Sequence, residues 1–349
     1  MTGRKMILPA SGAVVVIAFG AVGAADYYYK SSQGAGCAKC HEIAENYNSW
    51  RHSSHRSITC TECHASSLQT NVRRVVAHVR GEVPERVHLR LDDVLAMMKQ
   101  CRRCHQQEYA QWRSGPHGTT YARIFTDPEH NQKRRLTDDC LRCHGMHFEG
   151  SIGDLVQPVN SAGPWKLIRS ELVAQPAIPC LSCHSMHREG EPLSATRGRE
   201  GPKQEIARPS LSLMDQRSRL AISLSVLPIP VVLKNGSPVR ISPDRRQALC
   251  YQCHAPLASR EVRSGDDRTP TGVHEGLSCL ACHQKHGMLT RASCADCHPR
   301  LSNCGRDVEK MDTTFADPKS KHDVHHVACV DCHMKGVPPK RSQTVAGMR

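Results

Sequence analysis

The stretch CAKCHEIAENYNSWRHSSHRSITCTECH, Cys37–His64, decides how the whole chain is read. It opens and closes on the same five-residue word, C-x-x-C-H. Between the two words lie Trp50, His52 and His55. Scanning outward, the word recurs nine times in 349 residues and takes up 18 of the 19 cysteines, leaving only Cys304. The copies are Cys37, Cys40, His41; Cys60, Cys63, His64; Cys101, Cys104, His105; Cys140, Cys143, His144; and Cys180, Cys183, His184. After a gap come Cys250, Cys253, His254; Cys279, Cys282, His283; Cys294, Cys297, His298; and Cys329, Cys332, His333.

Two cysteines three apart lie on one face of a helical turn. Both sulfurs can then meet the two vinyl groups of one porphyrin, while the imidazole that follows reaches its iron. C-x-x-C-H is the attachment word of c-type haem, and histidine is a common axial ligand there. Zinc sites place their histidines away from the cysteine pair, and a disulfide scaffold has no use for an adjacent histidine. The sequence therefore predicts nine covalently bound haem c groups. It also explains how a chain with 7 Tyr, 3 Trp and 4 Phe could fill an interior: haem faces take the place of a large hydrophobic core. The predicted fold class is a multihaem cytochrome c fold, mainly α with little regular secondary structure, a haem-packed core and one N-terminal transmembrane helix.

The formal charge is +14. Two propionates on each of nine haems would more than cancel it, and ferric irons return part of the balance. Much of the arginine excess thus reads as propionate partners. No nucleic-acid recognition motif is present, so nucleic acid is not an expected partner.

Each iron needs a ligand on its second face. Nine of the 22 histidines sit in motifs and 13 remain. WRHSSH (Trp50–His55) repeats as WRSGPH (Trp112–His117), each after a motif. His274 lies five residues before Cys279, as His55 lies five before Cys60. His147, His187 and His286 each lie three residues past a motif histidine, and His325 precedes Cys329 closely. His55, His117, His147, His187, His274, His286 and His325 are therefore the favoured second ligands. His78, His88, His130 and His322 are weaker candidates, and His52 and His326 read as bystanders. Which histidine serves which iron is not legible in spacing.

Met6–Ala25 carries no charge and follows Arg4 and Lys5. It reads as a membrane anchor with its basic flank inside, and less readily as a cleaved signal peptide. Either way the bulk of the chain is expected in the periplasm, beyond a bacterial inner membrane. The expected organisation is an anchor at 1–29, a tetrahaem domain at 30–150 and a single-haem connector at 151–189. A haem-free, proline-rich insert at 190–245, a four-haem domain at 246–336 and a basic tail at 337–349 follow. The apolar run Leu220–Leu233 contains Pro228 and Pro230 and reads as extended or strand-like. A helix is predicted over Leu91–Cys104.

The first 150 or so residues resemble the NapC/NirT/NrfH family of membrane-anchored tetrahaem quinol dehydrogenases. The resemblance rests on the apolar N-terminus, CAKCHEIAENYNSWRHSSH, ITCTECH, CRRCHQQEY and CLRCHGMHF. W-x-x-S-x-H is also similar to hydroxylamine-oxidoreductase-like multihaem cytochromes. The resemblance implies electron transfer from membrane quinol, such as menaquinol, to a redox partner protein. Two positions depart from the family: Ile43 stands where members often carry Met, and no Lys precedes Lys99 between motifs two and three. The expected function is a nonahaem electron-transfer wire joining the membrane quinol pool to a periplasmic or outer partner. A multihaem reductase or oxidase of a small nitrogen or sulfur compound is the alternative, and an extracellular cytochrome conduit is another. An oligomer is compatible with the sequence.

Overall fold

In the structure, a computed structural model, residues 7–64, 67–82, 89–133, 135–187, 211–255, 267–287, 297–298, 307, 319 and 323–332 are described. His88, Cys294, Cys304, His322, His333 and the 337–349 tail fall outside them, as do the side chains of His41, Cys329 and Cys332. The chain forms two compact units that share its length in alternation.

The first unit holds Met1–Gln106, Met146–Gly150 and Pro179–Ser223. Its helices are α1 (Ile7–Ser31), α2 (His41–Arg51), α3 (Cys60–Cys63), α4 (Leu68–Val79) and α5 (Leu91–Cys104). The predicted helix over Leu91–Cys104 is thus present as α5. Leu91, Val94 and Met98 recur at helical spacing and are buried. Asp92 and Asp93 in its first turn and Arg102 and Arg103 in its last complement the helix dipole. Ser212–Asp215 and Leu220–Ser223 pair as an antiparallel hairpin, with Leu213 opposite Ile222. Arg219, at the turn, donates to the Leu89 and Phe148 carbonyls and pairs with Glu149 at 3.0 Å, tying three chain segments together.

Among the described residues no helix is long and apolar enough to cross a membrane. Within α1, Gly12, Gly20 and Gly23 offer no side-chain surface. The helix also runs on through Asp26, which pairs with Lys30 at 2.6 Å, and three tyrosines. This contradicts the expected transmembrane helix and the bacterial inner-membrane location that rested on it. Regular structure is also richer than expected: the described residues are about half helical, with small sheets.

The second unit holds Gln107–Gly145, Ser151–Ile178 and Leu224–Arg349. It contains most of α6 (Gln106–Ser114), then α7 (Tyr121–Phe125) and α8 (Pro128–Lys133). A conventional core exists: Tyr121, Phe125, Leu141, Leu155, Val156 and Leu172 are buried, with Tyr121 and Phe125 stacked at 5.9 Å. The segment 175–178 stitches it. Tyr121 N donates to the Gln175 carbonyl, Ala177 N to Thr119, Gly145 N to Ala177 and Trp112 Nε1 to Ile178. Val156–Gln157 pairs with Lys166–Leu167, and Leu233–Lys234 with Ser237–Pro238. The apolar run at 220–233 therefore supplies strands, as its prolines implied. Arg245 donates to the carbonyls of Leu224, Ser225 and Leu227, holding the segment that leads into the sixth motif.

Candidate haem sites

Among the described residues, a short turn builds the motif. In six copies the histidine N–H donates to the carbonyl of the first cysteine: His64 to Cys60, His105 to Cys101, His144 to Cys140, His184 to Cys180, His254 to Cys250 and His283 to Cys279, at 2.8–3.0 Å. The bond closes one helical turn around C-x-x-C, so both thiols and the ring stand on adjacent faces. Local sequence fixes where the turn starts. Thr59 and Glu62 form a capping box on α3, and Ser278 Oγ accepts from Leu280 N at Cys279–Cys282.

Of the candidate second ligands, the structure sets five against motif rings. In the first unit His55 faces His105 with ring centres 6.1 Å apart, and His187 faces His64 at 5.8 Å. In the second, His117 faces His254 at 6.1 Å, His274 faces His298 at 6.2 Å and His325 faces His283 at 5.9 Å. Every pair joins one motif histidine to one non-motif histidine. Two imidazoles bound in line to one metal, each at about 2 Å, put their ring centres about 6 Å apart. Direct stacking would bring the rings nearer.

The sequence repeat around tryptophan is a structural repeat. Tyr47 packs on Trp50 at 5.5 Å and Tyr109 on Trp112 at 5.3 Å. Trp50 Nε1 donates to the His55 and Ile58 carbonyls, fixing the loop that carries His55.

Burial favours the neutral form of four of these rings. Burial lowers the pKa of His55, with His105 adding to it. Burial does the same for His117, helped by His254 and His283. His187 is lowered by burial against the opposing pull of the Asn46 carbonyl. His283 is lowered by burial and then by His325. Three of the candidate second ligands have Nδ1 engaged. Nδ1–H of His187 donates to the Asn46 carbonyl and that of His274 to Val324, both at 3.1 Å, and that of His325 to Asp323 Oδ1 at 2.7 Å. Those bonds leave Nε2 as the free lone pair. Spacing alone did not show these acceptors; only Asp323, two residues before His325, left a trace in the sequence.

His147 is buried in the first unit beside Leu181, and its ring nitrogens lack a well-formed hydrogen bond. Burial pushes it down to about 4, Arg219 acts in the same direction, and the Leu181 backbone opposes them. An orphaned buried imidazole suits a metal ligand. His286 is not among the facing pairs.

The thiols of successive sites lie close together. Cys37 neighbours Cys60, Cys63 neighbours Cys101 and Cys104, and Cys101 neighbours Cys180 in the first unit. In the second, Cys143 meets Cys253 and Cys250 meets Cys279. The described cysteines form no disulfides. Burial pushes Cys180 and Cys183 up to about 11, unlike the depressed thiols of thiolate metal sites. Among the described residues no three His, Cys, Asp or Glu converge on one metal position. Paired imidazoles with cysteine pairs beside them fit covalent haem.

The profile of the cytochrome c554 and c-prime family matches residues 100–161, across the third and fourth motifs. Neither the curated proteins nor the solved structures give a match. The chain is a c-type multihaem cytochrome, carrying covalently bound haem c and acting in electron transfer.

Proposed function

We propose that this chain is a nonahaem electron-transfer protein that exchanges electrons with a redox partner protein. The nine C-x-x-C-H words support the count. The observation that carries the reading is the set of five facing histidine pairs at 5.8–6.2 Å. Bound haem supplies a one-electron Fe(III)/Fe(II) couple. The facing histidine pairs would hold such groups and would suit the protein to that couple, because paired imidazole ligation would serve both oxidation states with little rearrangement. The closeness of thiols from successive sites supports a relay of adjacent groups within each unit.

The test is direct. Pyridine haemochrome analysis of purified holoprotein should give nine haems per chain. EPR of the oxidised form should show at least five low-spin irons. A ratio well below nine sinks the count. Irons that are mostly high-spin, and that turn over nitrite or hydroxylamine, would replace the carrier with the reductase reading.

A further inference from the structure

We propose that Asp323 is a positioning residue that lowers the reduction potential of the iron held by His283 and His325. The proposal rests on the reading of that ring pair as axial ligands. Among the three second ligands with an engaged Nδ1, His187 and His274 donate to neutral backbone carbonyls at 3.1 Å. His325 donates instead to a carboxylate, at 2.7 Å. Charge-assisted hydrogen bonds are shorter and stronger than neutral ones.

The carboxylate is also oriented. Asp323 Oδ1 accepts from the His325 backbone N–H at 2.9 Å, as the N-cap of the Val324–His326 turn. Its Oδ2 pairs with Arg268 at 3.3 Å. Asp323 thus cannot swing away from His325 without breaking three contacts.

A carboxylate on Nδ1–H draws the proton outward and makes Nε2 the more basic donor. On oxidation one electron leaves and one positive charge is added at the metal. Asp323 stabilises that charge through the imidazole, so the ferric state is favoured and the potential falls. Arg268 offsets part of the field, and the 31% exposure of the Asp323 side chain screens part of the rest. The direction survives, because the carboxylate is bonded to the ligand itself.

Holoprotein should be compared by EPR-monitored redox titration in the parent, Asp323→Asn and Asp323→Glu. Asn keeps an oxygen acceptor for Nδ1–H and removes the charge. The expected result is one low-spin component moving to more positive potential in Asp323→Asn, with haem content and low-spin count unchanged. Asp323→Glu should return it toward the parent. A fully loaded Asp323→Asn protein whose titration superimposes on the parent overturns the proposal. His325→Ala separates the two layers. If one iron turns high-spin, the ligand assignment stands and only the tuning is at issue. If every iron stays low-spin, the assignment itself fails.

Discussion

Replacing His187 by alanine tests the ligand scheme where it is most consequential. His187 faces His64 at 5.8 Å, and its Nδ1–H is held by the Asn46 carbonyl. Ligation through this pair closes a loop of roughly 120 residues, for which the chain-entropy treatment of a cross-link gives a ceiling of about 5 kcal/mol. Real cross-links deliver less, so a loss of about 2–4 kcal/mol is expected, a large fraction of a typical domain's stability. The ring contributes burial as well as the bond. The assay has two arms on the same holoprotein: guanidinium unfolding followed by far-UV circular dichroism, and EPR with optical spectra in the high-spin region. The variant should show one high-spin iron among the nine sites, and added imidazole should convert it back. Unfolding within 0.5 kcal/mol of the parent, with no new high-spin signal, would refute the inference that facing rings mark a shared metal.

Other outcomes follow from the same geometry. Tyr121 is fully buried with no hydrogen-bond partner for its hydroxyl. Tyr121→Phe should therefore leave stability unchanged or raise it by about 1–2 kcal/mol; a clear loss in thermal unfolding would mean that bound haem or water satisfies the hydroxyl. Gly272 adopts φ +70°, and an added Cβ would run into the Val327 carbonyl, in the segment where Thr271 N donates to His325 O and Val273 N to Val327 O. Gly272→Ala should cost about 2 kcal/mol or more and convert the irons facing His274 and His325 to high spin together. Asp244 is held down at about 2 by Arg246, assisted by Ser278 and opposed by burial. A depressed carboxylate stabilises the fold above its unfolded value near 4 and loses that contribution as pH falls toward 2. Asp244→Asn should therefore be less stable by about 1–2 kcal/mol at neutral pH, after discounting for partial exposure. That gap should close in acid-unfolding curves between pH 4 and pH 2; a gap constant with pH refutes it.

Sequence by itself determined the attachment chemistry. Two thiols and a ring within five residues form a local device, closed by one hydrogen bond from His to the first Cys, and no distant contact is needed to recognise it. It also marked the second-ligand candidates that recur beside a motif or a tryptophan. It misread the N-terminus, because an uncharged window hides how little side-chain surface glycines provide and where the helix meets Asp26 and Lys30. It also understated the ordinary core around Tyr121 and Phe125, since a few well-placed aromatics suffice for one unit.

Only the tertiary structure decided which rings face each other. His117 meets His254 and His187 meets His64 across more than a hundred residues. Motif order along the chain does not give the order of neighbours, for Cys101 lies by Cys180 and Cys143 by Cys253. The physical reason is that a covalent attachment is written in adjacent residues. An axial pair is a meeting of two distant segments, and the packing of each unit brings them together.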